Sequence, residues 1–262
     1  MPQHLDRREA LRMLTAAAPF GATAAAAQGA TPSPPSASAN PTGVCVLFPQ
    51  AMEGPYYFDP KLVRPDITEG RPGLPLTMSF RVVELTSCQP VVGARVDVWH
   101  ADASGVYSGY PGQGDTRNVS TRGQTYLRGT QTTDTDGRAT FRTVYPGWYP
   151  GRTPHIHVKV FLDERTVLTG QAYFPDDVSA RVYLDHAAYK ARPVADTTNA
   201  RDFIFKSGER EGGGIVMAMG ESGGTMSAAL SIAVDRTGEA AKSRSRRGWL
   251  DRAIDSVRGR GT

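Results

Sequence analysis

The chain has 262 residues, which suits one domain of about 150–200 residues with flanking segments, or a single larger all-β domain. Glycine (28 residues) and proline (19 residues) are frequent, so many turns and short strands are expected rather than long helices. The net charge of +4 comes mainly from residues 241–262, so the sequence does not predict a nucleic-acid-binding surface on the folded body.

The first 30 residues predict an export signal. Arg7–Arg8 precede the Ala-rich run 14–27, and small residues follow where a signal peptidase could cut. The arginine pair resembles a twin-arginine signal, which would direct the protein to the periplasm or outside the cell. The run is too short and too weakly hydrophobic to predict a stable membrane span. The alternative is a disordered N-terminus that has no role in targeting.

Composition divides the rest of the chain. Residues 31–43 are uncharged and rich in Pro, Ser and Ala, and they predict a disordered linker. Residues 44–235 are expected to form the folded domain. Within it, residues 53–76 are dense in Pro and Gly and predict an extended arm laid over the domain. Residues 236–262 predict a basic, disordered tail.

Cys45 and Cys88 are the two cysteines of the sequence. A disulfide between them is plausible in an oxidising compartment, and two buried free thiols are the alternative. Their spacing does not predict a zinc-thiolate site.

Seven runs of alternating apolar and polar residues predict β-strands. They lie at residues 77–85, 94–102, 138–145, 155–162, 166–174, 213–220 and 226–234. With turn residues between them, these runs predict an all-β sandwich or barrel. A helix is indicated only over 179–192. The sequence DTDG at 134–137 predicts a hairpin turn rather than a calcium loop, because Tyr145 stands where such a loop needs a glutamate.

His155 and His157 lie one residue apart on a predicted strand. Alternate side chains share a strand face, so both imidazoles point the same way, about 7 Å apart along the strand. A polar surface pair is the alternative to a metal site. The neighbouring side chains are phenols and an arginine rather than carboxylates or thiols. A set of two phenolates and two imidazoles favours Fe(III) over zinc, because a hard trivalent ion stabilises phenolate.

Four blocks of sequence resemble a known family. They are EGPYY (53–57), VDVWHADASGVYSG (96–109), TDTDGRATFRTVYPGWYPGRTPHIH (133–157) and TGQAYFPDD (169–177). In order and spacing they are similar to the intradiol ring-cleavage dioxygenases, non-haem Fe(III) enzymes that open catechol rings. The resemblance spans roughly residues 45–205. It implies a β-sandwich of the intradiol core type with long Pro/Gly-rich loops, one Fe(III) per chain, and a catechol-type aromatic and O2 as substrates.

Position within these blocks implies a role for each matching residue. The implied iron ligands are Tyr107, Tyr149, His155 and His157. The resemblance makes Tyr149 the general base as well. Arg152 matches an arginine that faces the substrate ring and stabilises negative charge there, and Gln171 matches a glutamine of the pocket.

Several other aromatic residues stand near these blocks. Tyr56, Tyr57 and Trp148 could form an aromatic wall of the pocket, but each could equally be core. Tyr110 could line the pocket or be exposed. Tyr145 ends a predicted strand and is expected to pack in the core.

One departure from the family concerns the segment between Tyr149 and His155. It is only five residues long, whereas larger catechol and protocatechuate enzymes carry an insertion there. The short segment resembles an exported branch of the family, predicts a more open site, and leaves the individual catechol open. The helical dimerisation region of the catechol enzymes is also missing, so the oligomeric state stays open.

Two other functions fit part of the pattern. A secreted, non-catalytic β-sandwich that binds metal or aromatic compounds would need the fold alone. An exported zinc or copper enzyme would use the two histidines without the tyrosines.

Overall fold

A computed structural model describes residues 45, 47–163, 165–192, 194–210 and 215–236. The predicted export signal and linker lie outside the described residues, as does the predicted tail apart from its first residue. The described residues form two four-stranded sheets. Buried apolar side chains of both sheets make one core, which confirms the predicted all-β sandwich.

The eight strands are introduced here in chain order. They are β1 (Pro75–Glu84), β2 (Arg95–Trp99), β3 (Arg128–Thr132), β4 (Arg138–Val144), β5 (His155–Leu162), β6 (Arg165–Tyr173), β7 (Ala218–Ser222) and β8 (Thr225–Val234). One sheet has the order β4-β1-β8-β7 and the other has the order β3-β2-β5-β6. The pairs are antiparallel except β1 with β8, which are parallel.

Two α-helices lie outside the sheets, α1 (Asp176–Asp185) and α2 (Phe203–Arg210). The first begins and ends earlier than the predicted 179–192. The two acidic residues of its first turn, Asp176 and Asp177, favour a helix N-terminus at this point, and the extended backbone of His186 ends the helix. Helix α2 was not predicted. In the described part of the chain, no helix is long and apolar enough to cross a membrane.

Strand β5 shows how the alternating pattern positions the site. Ile156, Val158 and Val160 are fully buried in the core, and burial of each such side chain stabilises the fold by about 1.5–3 kcal/mol. His155 and His157 alternate with them and therefore lie on the opposite face of the sheet.

The predicted arm lies over both sheets. Its backbone N–H at Arg64 donates to Thr130 O of β3 at 3.0 Å, and the N–H of Ile67 donates to Arg142 O of β4 at 3.0 Å. Ile67 is fully buried. The arm thus ties the two sheets together along their β3 and β4 edges.

The turn at 134–137 is not the predicted hairpin. It joins β3 in one sheet to β4 in the other, and these strands do not pair. The Asp134 carboxylate accepts the backbone N–H groups of Asp136 at 2.9 Å and Arg138 at 2.8 Å, so the residues that predict a turn form a corner between sheets.

Cys45 and Cys88 are joined by a disulfide, with their Cα atoms 5.7 Å apart. The bond links the beginning of the described chain to the turn that follows β1.

Candidate metal centre and cavity

The outer face of the sheet β3-β2-β5-β6 provides the floor of the candidate site. His157 lies between Trp99 of β2 and Gln171 of β6, and His155 lies beside Tyr173 of β6. All five side chains are at least 97% buried. The indole of Trp99 stacks on the His157 ring with 4.7 Å between centroids, which fixes that imidazole against the sheet.

Two loops bring tyrosines over this face. The loop 100–127 carries Tyr107, and the loop 145–154 carries Tyr149. The Asp102 carboxylate accepts the N–H groups of Ser104 at 2.9 Å and Val106 at 3.1 Å, which shapes the turn before Tyr107.

The predicted ligand atoms converge. The Nε2 atoms of His155 and His157 are 3.2 Å apart. The Tyr149 oxygen is 3.1 Å from His155 Nε2, and the Tyr107 oxygen is 3.1 Å from His157 Nε2. The two phenol oxygens are 3.5 Å from one another. These four groups, up to 50 residues apart in sequence, therefore form one cluster.

The cluster fits a metal ion. Four donors that each bind one ion at about 2.0–2.1 Å lie about 2.9–3.4 Å from one another in tetrahedral or octahedral geometry. The observed separations of 3.1–3.5 Å agree with that spacing. Among the described residues, no group of three or more His, Cys, Asp and Glu side chains could hold a metal ion, so a site here depends on the tyrosines.

Hydrogen bonding and burial set the protonation of these groups. His155 donates its Nδ1–H to Thr153 O at 2.7 Å, so the neutral ring directs its Nε2 lone pair into the cluster. Burial, with the charge of Arg152, lowers the pKa of His155 and of His157 well below the ordinary value. Both imidazoles are therefore neutral, as metal binding requires.

The phenols respond to burial in the opposite direction. Burial raises the pKa of Tyr107 well above its ordinary value. Burial also raises the pKa of Tyr149, although the charge of Arg152 offsets part of that rise. A tyrosinate at either position therefore requires a cation bound at its oxygen.

Arg152 and Gln171 lie next to the cluster. Arg152 donates from Nη1 to the Tyr149 oxygen at 3.4 Å, from Nη2 to Gln171 Oε1 at 2.5 Å, and from Nε to Asp202 at 2.7 Å. Gln171 Oε1 also accepts the hydroxyl of Tyr173 at 2.9 Å. Sequence reasoning missed Asp202 and Tyr173. Tyr173 could have been found, since it shares a strand face with Gln171, whereas no sequence signal marks Asp202.

A cavity of about 210 Å³ opens beside the two phenols. Its lining consists of Tyr56, Gly105, Tyr107, Gly112, Gln113, Gly114, Asp115, Arg117, Tyr149 and Pro150. The ring of Tyr56 stacks on that of Tyr107 with 4.8 Å between centroids. One of the four aromatic residues considered for the pocket wall therefore lines this cavity.

The other three are not among the residues that line this cavity. Tyr57 donates its hydroxyl to Asp97 at 2.9 Å, and Tyr110 donates to Tyr57 O at 2.8 Å. Trp148 lies under the Arg192 guanidinium, 3.8 Å from its ring centroid. Their hydrogen bonds and stacking make them part of the packing around the site.

Two further side chains are buried, and the sequence predicted the burial of one of them, Tyr145. Tyr145 is fully buried and forms a hydrogen bond with the Ser179 hydroxyl at 2.7 Å, away from the cluster. His100 is buried between Thr143 and the Ala101 carbonyl, and burial lowers its pKa to about 4.

Two glycines allow the ligand loops to meet. A Cβ on Gly105, which has φ of +79°, would lie 2.1 Å from Trp148 O. A Cβ on Gly147 would lie 2.5 Å from Asp102 O. The backbones that carry Tyr107 and Tyr149 therefore touch directly, and the separation of the phenols depends on this contact.

Gly105→Ala is expected to lower the free energy of unfolding by about 3 kcal/mol, from a positive φ and from a clash with a carbonyl that cannot move freely. Gly123→Ala is the matched control, because Gly123 has φ of +78° and open space around its Cβ position. It should lose only about 1–2 kcal/mol. Denaturant unfolding and metal content measure the difference, and equal losses in both variants would contradict the loop contact.

A model of the dioxygenase family, described as "Dioxygenase", matches residues 52–207 of this chain. That range contains the cluster, Arg152 and Gln171. The chain belongs to the intradiol ring-cleavage dioxygenase family. The family predicted from the four sequence blocks is thereby confirmed.

Individual relatives agree with this family. A hydroxyquinol 1,2-dioxygenase from Rhizobium sp. (strain MTP-10005) is 31% identical over 123 residues, covering 40% of this chain and 39% of that protein. An intradiol ring-cleavage dioxygenase from Tetranychus urticae has a TM-score of 0.66 and 29% identity, with 73% of this chain and 95% of that chain covered.

A dioxygenase domain from Streptomyces sp. SirexAA-E, part of a dioxygenase carbohydrate-binding protein fusion, has a TM-score of 0.53 and 30% identity. The match covers 72% of this chain and 99% of that domain. By contrast, this chain spans less than half the length of the curated relatives that it matches. The described domain of this chain therefore matches these two solved structures over nearly their whole length.

Proposed function

We propose that this protein is an intradiol dioxygenase. It adds both atoms of O2 to a catechol-type aromatic and breaks the bond between the two hydroxyl-bearing carbons, giving a cis,cis-muconate-type diacid. The observation that carries the proposal is the convergence of two phenol oxygens and two imidazole nitrogens within 3.1–3.5 Å beside a cavity.

Fe(III) is the proposed metal, one ion per chain. Tyr107, Tyr149, His155 and His157 would hold it, and their two phenols distinguish the site from ordinary zinc sites, which recruit Cys, His or carboxylate. When bound, the ferric ion would supply Lewis-acid chemistry that activates the catechol ring toward O2.

The chain's own residues bind the substrate and move its proton. Tyr149 lines the cavity, so its oxygen is placed to accept a proton from a catechol hydroxyl. Arg152 lies 3.4 Å from that oxygen and stabilises negative charge that develops in the ring. Gln171 accepts a hydrogen bond from Arg152 and keeps the guanidinium directed toward the site.

The direct test is oxygen uptake by the iron-loaded protein against a panel of catechols, with mass analysis of the products. Intradiol products and a red colour from tyrosinate-to-iron charge transfer are expected. A colourless iron-loaded protein would contradict the ligand assignment. Bound iron without oxygen uptake on any catechol would favour a non-catalytic binding module, and stoichiometric zinc without iron would favour a zinc enzyme.

The charges that line the cavity indicate which catechols it accepts. Asp115 is paired with Arg192 at 3.0 Å. Arg117 also lines the cavity and has no ion pair among the described residues. An acidic substituent on the substrate ring could therefore form an ion pair with Arg117.

Arg117→Gln is expected to lower kcat/KM for 3,4-dihydroxybenzoate by about 5–10-fold, because one charge-assisted hydrogen bond is lost. The value for 4-methylcatechol should change by less than about twofold. Arg122→Gln, an exposed neighbour outside the cavity lining, is the control. An equal loss on both substrates would show that Arg117 does not recognise the substituent.

Export from the cytoplasm is part of the proposal. The Cys45–Cys88 disulfide supports it, because such bonds persist in oxidising compartments.

A further inference from the structure

We propose that residues 196–202, here called the clamp, position the chemistry of the site, and that Asp202 is the positioning residue through which they act. The inference rests on the proposed function. It concerns the short ligand loop, residues 149–154, which carries Tyr149 and Arg152 and leads into His155. This loop forms no helix or extended strand, so its conformation depends on contacts with other parts of the chain.

The carboxylate of Asp202 accepts four hydrogen bonds, and the residue is fully buried. Its Oδ2 accepts Arg152 Nε at 2.7 Å and the backbone N–H of Thr153 at 3.0 Å. Its Oδ1 accepts the N–H groups of Ile204 at 2.8 Å and Phe205 at 3.2 Å in the first turn of α2. One carboxylate thus caps a helix and holds the ligand loop at the same time.

Two other clamp residues hold the same loop. Asn199 Oδ1 accepts the Thr153 hydroxyl at 2.9 Å, while Asn199 Nδ2 donates to Phe174 O at 2.8 Å. The Asp196 carboxylate accepts the Gly151 N–H at 3.2 Å. Three consecutive loop residues are therefore fixed from outside the loop.

The bonds continue from the clamp to two of the proposed ligands. Thr153, held by Asp202 and Asn199, accepts the Nδ1–H of His155 through its carbonyl. Arg152, held through Nε, directs Nη1 to the Tyr149 oxygen and Nη2 to Gln171. In the described residues, Asp202 is the carboxylate that forms an ion pair with Arg152.

Replacing Asp202 with asparagine tests this positioning role. Asparagine keeps the size and the capping oxygen, but it offers Arg152 either a neutral oxygen or an NH2 group that opposes its donor. In the iron-loaded full chain, kcat on catechol is expected to fall about 100-fold, as for a displaced catalytic group. KM should change by less than about threefold. The tyrosinate-to-iron absorption band should shift or weaken, because Tyr149 loses a fixed neighbour.

A structural role alone would lower the unfolding midpoint and leave kcat per iron and the absorption band unchanged. Lys206→Ala is the matched control, since Lys206 is exposed on α2 outside the clamp and should leave kcat, KM and the band at parental values. A folded, iron-replete Asp202→Asn protein with the parental kcat and band would overturn the proposal.

Asp196→Ala provides a second route if Asp202→Asn does not fold, because Asp196 is exposed. It should lower kcat about 3–10-fold and move the band in the same direction, and parental values for both would overturn the clamp. If the parent protein oxidises no catechol, the proposed function fails. The absorption band of the iron-loaded variants then decides whether the clamp positions Tyr149.

Discussion

Replacing Tyr149 with phenylalanine is expected to lower kcat by a factor of about 10²–10⁴, because it removes the oxygen that would accept the catechol proton. The ring remains to pack edge-on against Tyr107 and His155. The other three proposed ligands should retain part of the iron. Oxygen uptake per bound iron is the measurement, so that lost metal is not mistaken for lost turnover.

Tyr145→Phe is the matched control for this substitution. Tyr145 is also buried, but its hydroxyl bonds to Ser179 and lies outside the cluster. The control should lose about 0.5–1.5 kcal/mol of unfolding free energy and keep its turnover per iron. If Tyr149→Phe oxidises catechols at the parental rate, Tyr149 is not the base.

Removing the disulfide is expected to cost about 4 kcal/mol of unfolding free energy in the Cys45→Ser, Cys88→Ser double variant. The bond closes a sequence separation of 43 residues, and opening it enlarges the conformational entropy of the unfolded chain. Both cysteines are half-buried, so serine should fit without a large cavity. Urea unfolding of parent and variant measures the difference.

With a reductant present, the parent protein should have the same free energy of unfolding as the double variant. Turnover per iron should stay parental, because neither cysteine lines the cavity. A loss below about 1 kcal/mol would indicate that the bond contributes little constraint to the unfolded state.

The sequence predicted the strands whose alternation is strong and missed those whose residues are polar. Strand β5 was predicted with its observed bounds because Ile, Val and Leu alternate with His and Lys. Strand β3, RGTQT, has no apolar alternation and is held by its neighbours and by the arm. Helix α2 begins with FIF, which resembles a strand, and its capping by Asp202 is not apparent from the local pattern.

The site shows a similar division. Tyr107, Tyr149, His155 and His157 were predicted from the family motifs, and the structure brings them together. Asp202 lies 50 residues from Arg152, and its role arises only when α2 packs against the ligand loop. The lining of the cavity includes Tyr56 but not Tyr57, Tyr110 or Trp148. The sequence left these alternatives open, because a Tyr or Trp near a motif looks the same whether it lines a cavity or packs behind it.

The parallel pairing of β1 with β8 has a consequence for folding during synthesis. The sheet with the two histidines uses strands from residues 95–173 and can pair as soon as that part of the chain is available. The other sheet cannot close until residues 225–234 are made, because β8 inserts between β1 and β7. Such long-range pairing slows folding. A ribosome-bound chain that ends before β8 would therefore expose the inner face of the first-formed sheet.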